Sequence, residues 1–127
     1  MEITSFYPVI STTDFEGTKA PYEALGFKQA HDICLLKEMP AHIVIMKNDK
    51  GFRLGILYGV DFKGVIPNTL TWMNVRDFEG AVASLKEHGF TEFAPARDLE
   101  FMKTVPMKAP DGHVIIVVYH KRKDDWE

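Results

Sequence analysis

Asp14-Phe15-Glu16-Gly17 and Asp77-Phe78-Glu79-Gly80 are one four-residue stretch written twice, 63 positions apart (77 − 14). Each copy is followed at the same distance by a Gly-Phe pair, Gly26-Phe27 and Gly89-Phe90. In a chain of 127 residues that offset is half the length, and a repeat on this scale fixes the architecture. Each copy reads as a helix with its punctuation. Asp14 and Asp77 suit a helix N-cap, where a side-chain oxygen accepts from a backbone N–H the first turn leaves over. Glu16 and Glu79 place negative charge in the first turn. Gly26 and Gly89 suit the left-handed residue that ends a helix. Neither copy is a capping box, because Gly17 and Gly80 hold the third helical position. The apolar stripes are Phe15, Tyr22 and Leu25 in one helix and Phe78, Val82 and Leu85 in the other.

A second repeated piece follows each helix. Met46-Lys47-Asn48-Asp49-Lys50-Gly51-Phe52 matches Met107-Lys108-Ala109-Pro110-Asp111-Gly112-His113 at an offset of 61 (107 − 46). Both are turns between apolar runs, the pattern of a hairpin. Each half therefore reads strand, helix, then about three strands. The first has strands over 3–12, 27–37, 41–47 and 52–60 with a helix over 15–25, in which Pro21 removes one hydrogen bond and is expected to kink the axis. The second has strands over 69–76, 91–96, 103–108 and 113–120, a helix over 78–88 and a loop over 97–102. Two copies are too few for a solenoid, so they are expected to pair into one domain. Module one covers about 1–60 and module two about 68–120, with a charged tail at 121–127.

Composition limits the function. Hydrophobic residues are 46% of the chain, enough for a core, and the net charge of −3 gives no electrostatic case for nucleic acid. The one cysteine, Cys34, excludes an internal disulfide and suits a reducing compartment; a buried structural role is its default. No apolar run reaches membrane-spanning length and the N-terminus has no signal-like segment, so the expected location is the cytoplasm.

The stretch Val9-Ile-Ser-Thr-Thr-Asp-Phe-Glu-Gly17, with Tyr22-Glu-Ala-Leu-Gly-Phe27, resembles the first strand and helix of the vicinal oxygen chelate superfamily, which includes glyoxalase I, extradiol dioxygenases and bleomycin resistance proteins. Ala109-Pro-Asp-Gly-His-Val-Ile-Ile-Val117 resembles its closing hairpin. The resemblance covers nearly the whole chain. It implies an α+β fold of two βαβββ modules, whose curved mixed sheet encloses a cleft with the helices outside. It also implies where a metal would sit in metal-dependent relatives: seven residues before each helix-cap Asp, at Tyr7 and Leu70, and on the last strands at Gly55 and Ile116. Three of these four positions have no ligating side chain, where divalent metals want His, Asp, Glu or similar donors. Slipping the alignment by one residue does not restore a set. The expectation is a member without the family's metal and with no cofactor.

Strand alternation assigns the faces. Tyr7, Val9 and Ser11 share one face, as do Leu70, Trp72 and Asn74; Arg53, Gly55 and Leu57; and Val114, Ile116, Val118 and His120. Ile10, Leu54, Ile56, Met73, Val75, Ile115 and Val117 should pack on the helices. The expected ligand-binding residues are Tyr7, Ser11, Arg53, Leu70, Trp72, Asn74, Ile116 and His120. Arg53 offers a bidentate contact to an anion. Trp72 offers a stacking surface for an aromatic or cationic molecule, or else fills the core. Gly55 leaves room where a side chain would stand. His42 and His120 lie on strands with no partner readable from sequence, while His31 and His88 read as surface residues. The expected function is metal-independent binding of a small molecule in an apolar cleft by a homodimer. The alternative is a metal-dependent lyase or dioxygenase with relocated ligands. A third class acts through its dimer surface, with Trp126 exposed.

Overall fold

The computed structural model describes residues 2–35 and 40–122. The end of the strand expected over 27–37 and the charged tail from residue 123, with Trp126, lie outside them. The described residues form two helices and nine strands, an α+β fold. The elements are β1 (Ile3–Ser11), α1 (Phe15–Ala24), β2 (Lys28–Cys34), β3 (His42–Lys47), β4 (Arg53–Tyr58), β5 (Thr69–Val75), α2 (Phe78–Glu87), β6 (Thr91–Glu92), β7 (Arg97–Asp98), β8 (Met102–Lys108) and β9 (Val114–His120).

The chain divides into two compact units, residues 7–69 and residues 1–6 with 70–127. In the first, β2, β3 and β4 form an antiparallel run and β4 pairs in parallel with β1, Val9 lying opposite Gly55. In the second, β6 and β7 both pair antiparallel with β8, β8 pairs antiparallel with β9, and β9 runs parallel to β5. The wiring is the same in both: the first strand of the repeat lies parallel to its last, and the helix makes the crossover. The first residues of β1 join the second unit, where Thr4 Oγ1 donates to the Asn74 carbonyl at 3.4 Å and Arg76 pairs with Glu2 at 3.2 Å.

Each helix begins as expected. Asp14 Oδ1 accepts from Gly17 N at 3.0 Å, and Asp77 Oδ1 accepts from Gly80 N at 3.0 Å. The glycines explain why no capping box is present. A Cβ on Gly17 or Gly80 would stand 2.1 Å from the other oxygen of the capping carboxylate. Both sequence-matched turns are also present. Asn48 Oδ1 accepts from Lys50 N and Phe52 N in one, Asp111 Oδ1 accepts from His113 N in the other, and Gly51 and Gly112 adopt φ of 84° and 100°.

The helix-side faces are those that alternation assigns for Leu54, Ile56, Met73, Val75, Ile115 and Val117, while Ile10 is only half-buried and joins neither cluster. In one unit Val44, Met46, Leu54 and Ile56 pack with Phe15, Tyr22, Phe27 and Tyr58. In the other, Met73, Val75, Ala81, Val105, Met107, Ile115 and Val117 pack with Phe78, Val82, Leu85 and Phe90. Three further expectations fail. Leu25 is 73% exposed, because α1 ends at Ala24 and Leu25 caps it, off the buried stripe. Residues 97–102 are not all loop: Arg97 and Asp98 pair with Thr104 and Lys103. Cys34 is exposed rather than buried.

The caps give a testable asymmetry. In an exposed helix, Gly→Ala gains about 1 kcal/mol from propensity. Gly80→Ala is expected to give no gain, because its methyl group displaces the Asp77 cap, worth about 1 kcal/mol. In an Asp77→Ala background the same change should stabilise by about 0.5–1 kcal/mol. Urea unfolding of the four proteins reads the cycle, and an equal gain in both backgrounds would refute the steric account.

Candidate functional site

The eight residues expected to contact a ligand fall in both units: Tyr7, Ser11 and Arg53 in one, Leu70, Trp72, Asn74, Ile116 and His120 in the other. Three of the second set meet. Trp72 Nε1 donates to Asn74 Oδ1 at 2.9 Å, and His120 Nε2 lies 3.0 Å from the same oxygen. The register permits this, since Trp72 is paired with Ile116 and Asn74 with Val118, two residues before His120. Indole N–H is only a donor, so the amide must turn its oxygen toward it. His120 Nε2 must then carry the hydrogen. Burial disfavours the imidazolium and pushes the His120 pKa down to about 3, so the ring is neutral near pH 7. The Asn74 Nδ2 group is buried with no hydrogen-bond partner among the described residues, an arrangement that costs about 1–3 kcal/mol if nothing accepts from it.

Trp72 and Asn74 are deeply set, while His120 is half-buried. Trp72 is 2% exposed, Asn74 1% and Leu70 4%. The corresponding face of the other unit is as tightly packed, with Tyr7, Val9, Ile43, Ile45 and Leu57 all buried. Gly55 leaves no hole. A Cβ there would meet Val9 Cγ2 at 2.9 Å and Ile43 Cδ1 at 3.1 Å, so its neighbours already occupy the space that its missing side chain suggested. Burial holds the Tyr7 hydroxyl far above its ordinary pKa, against the opposing pull of the Arg53 cation, so it is a hydrogen-bond donor and not a phenolate.

Open space lies elsewhere in the first unit. A hollow of about 480 Å³ is lined by Ser11, Thr12, Thr13, Asp61, Lys63 and Asn68, with Phe62 and Ile66 among its apolar walls. A second hollow of about 260 Å³ shares Thr12, Thr13 and Asp61 and reaches Phe15 and Tyr58. The Asn68 side chain donates to the Ser11 carbonyl at 2.9 Å and Ser11 N donates to the Asn68 carbonyl at 2.7 Å, so the end of β1 is fixed to the segment before β5. Ser11 is the only expected ligand residue on this wall. The others were not readable from sequence, because Asp61 to Asn68 carries no strand or helix period and only its folding back places it here.

The partner of His42 was also hidden. Asp32 Oδ1 is 3.0 Å from His42 Nδ1, and its Oδ2 accepts from Tyr58 at 3.2 Å. Tyr58 stacks on both His42 and Phe15, with centroids 5.3 and 4.3 Å apart. This network braces three strands against the start of α1. Asp32 lies opposite Val44 and His42 opposite Cys34, so the two meet on a diagonal of the β2–β3 pair that only the strand register reveals.

His120 carries a pH signature. Its folded-state pKa lies below the unfolded value, so the folded state binds fewer protons between about pH 6.5 and 3. The stability this gives is fully present above the unfolded pKa and falls as pH drops through that window. His120→Gln, which keeps a donor for Asn74, should reduce the loss between pH 7 and pH 4 by on the order of 2 kcal/mol, the ring being only half-buried. Chemical denaturation at the two pH values measures it; an unchanged loss would show that the ring already charges freely in the folded protein.

No family model matches the chain, and no curated protein matches it. Solved structures do. A glyoxalase/bleomycin resistance protein/dioxygenase superfamily member from Vibrio splendidus 12B01 superposes with a TM-score of 0.60 at 14% identity, over 93% of this chain and 99% of that one. Methylmalonyl-CoA epimerase from Mycobacterium tuberculosis gives 0.65 at 14% identity, over 95% and 91%. A glyoxalase I variant from Zea mays gives 0.63 at 13% identity, over 94% of this chain and 44% of that one. At such identities the likeness is one of fold, and the fold is that of the glyoxalase/bleomycin resistance protein/dioxygenase superfamily.

Proposed function

We propose that the chain binds a small molecule, and does so without a metal ion. The observation that carries the reading is the hollow of about 480 Å³ at the end of β1. Its size is that of a small-molecule site, and it combines hydroxyl, amide, carboxylate and ammonium groups with apolar wall. The metal-free part rests on side-chain chemistry. Gly55, Leu70 and Ile116 offer no ligating group, and among the described residues no three of His, Cys, Asp and Glu come together to hold a metal ion. In this reading Ser11 contacts the ligand. Tyr7, Leu70, Trp72, Asn74, Ile116 and His120 act mainly by fixing the sheets. The homodimer that the resemblance implies belongs to the same proposal, and sedimentation in solution reads it.

A panel of metabolite-sized polar compounds, screened by thermal melting, tests this. A ligand present at about 100 times its Kd stabilises by about 2.7 kcal/mol, a shift of several degrees for a domain of this size. Thr13→Phe fills the hollow from its rim and should abolish the shift while the unliganded protein still melts cooperatively. The wild-type shift should survive a chelator. A shift equal in Thr13→Phe removes the hollow from the reading. A chelator-sensitive shift with a stoichiometric divalent ion would replace it with the metal-dependent lyase or dioxygenase.

A further inference from the structure

Resting on the small-molecule reading of the hollow at Ser11, we propose that its ligand is an apolar amino acid. The ammonium group meets Asp61, the carboxylate meets Lys63, and the side chain enters the smaller hollow. The two hollows adjoin, since Thr12, Thr13 and Asp61 line both. Lys63 lines the larger alone, with Ser11 and Asn68. Beyond the shared residues the smaller is walled by Phe15, Tyr58, Gly59 and Val60, which offer apolar surface apart from one hydroxyl. That hydroxyl is committed to Asp32 at 3.2 Å. Cation, anion and apolar wall therefore follow one another in the order in which such a molecule carries carboxylate, ammonium and side chain.

The two charges are what the local bonding leaves over. Asp61 Oδ1 accepts from Lys63 N at 2.9 Å, which closes the turn, while Asp61 Oδ2 and the Lys63 ammonium have no partner among the described residues. The neighbouring polar groups are largely taken. Thr12 Oγ1 accepts from Asp14 N at 2.9 Å and from Thr18 Oγ1 at 2.8 Å. The Asn68 side chain donates to the Ser11 carbonyl at 2.9 Å and accepts from Thr69 Oγ1 at 3.2 Å. A ligand therefore finds one anionic acceptor, one cationic donor and the Thr13 hydroxyl. Asp61 and Lys63 are exposed, so each ion contact is weak alone, and selectivity needs both together with burial of an apolar group. The smaller hollow provides that burial. At about 260 Å³ it exceeds the roughly 150 Å³ that suffices for benzene, so an aliphatic side chain fits.

The test uses the full chain with leucine as the probe. Isocaproate, which lacks the ammonium group, and isopentylamine, which lacks the carboxylate, are its controls at constant ionic strength. Binding is read by thermal melting and by isothermal titration. Leucine should bind saturably, and each single-charge analogue about three- to fivefold more weakly, the size of one exposed ion contact. Asp61→Asn keeps an oxygen for Lys63 N, so the turn is retained. It should weaken leucine and isopentylamine by the same factor and leave isocaproate unchanged. Lys63→Gln should weaken leucine and isocaproate and leave isopentylamine unchanged. Leucine binding no tighter than that of either analogue overturns the amino-acid class, as does undiminished leucine binding by either variant. If other compounds then still give a shift that Thr13→Phe abolishes, the hollow keeps its reading and only the ligand class is lost. If Thr13→Phe leaves the leucine shift unchanged, the hollow is lost and the class with it.

Discussion

Each helix of this protein starts where a carboxylate meets a backbone N–H three residues on, and the fold depends on where that happens. The cap fixes the residue after the Asp as the first of the helix, so Phe15 and Phe78 enter at the same point of each repeat. Phe15 stacks on Tyr58 of β4, and Phe78 packs on the cluster built from β5, β8 and β9. Were either helix to start one residue later, its first aromatic side chain would rotate by about 100° and leave the sheet. Gly17 and Gly80 follow from the same constraint, because the capping oxygen stands where their Cβ would be. The repeated Asp-Phe-Glu-Gly is thus one physical device: cap, anchor, dipole charge, and the space the cap requires.

Much of the fold was legible because it is local. Cap, stripe, turn and alternation each need only a few neighbouring residues, and they agree with one another in both halves. What the sequence hid was set by register and by chain return. The expectation that Gly55 opens a hole treats an absent side chain as empty space, but in a close-packed interior the neighbours take it, here Val9 and Ile43. Leu25 fits the helical period yet lies one residue past the helix end, where period no longer describes direction. Cys34 was assigned to the interior by residue type, while its position on β2, which pairs with β3, leaves it exposed. The candidate site was less readable than the fold for the same reason. Ser11 could be found by alternation, but Asp61, Lys63 and Asn68 reach it only through a linker with no period of its own.

The two strand histidines show how environment overrides identity. Both lie on strands, and neither had a partner visible in sequence. His42 meets a carboxylate at a half-exposed edge, where Asp32 also accepts from Tyr58, and the result is a brace across three strands. His120 meets an amide oxygen that an indole has already oriented, and burial keeps it neutral. A neutral imidazole donating through Nε2 is a structural donor, and the indole is what makes it one. A hydroxyl in place of the Trp72 indole could accept as well as donate, and would leave both the amide orientation and the tautomer undetermined.

The positions at which the resemblance implies metal ligands can be weighed in the same terms. Leu70 is buried, and Tyr7 is buried with its hydroxyl protonated. A carboxylate built on Gly55 would have to displace Val9 Cγ2 and the end of Ile43, both fully buried. Inserting even a few atoms into such packing costs about 1–3 kcal/mol, and an unpaired charge there costs more. A ligating side chain at position 55 therefore requires smaller residues at 9 and 43 as well, so what may stand at position 55 is set by the packing of β1, β3 and β4 and not by one residue.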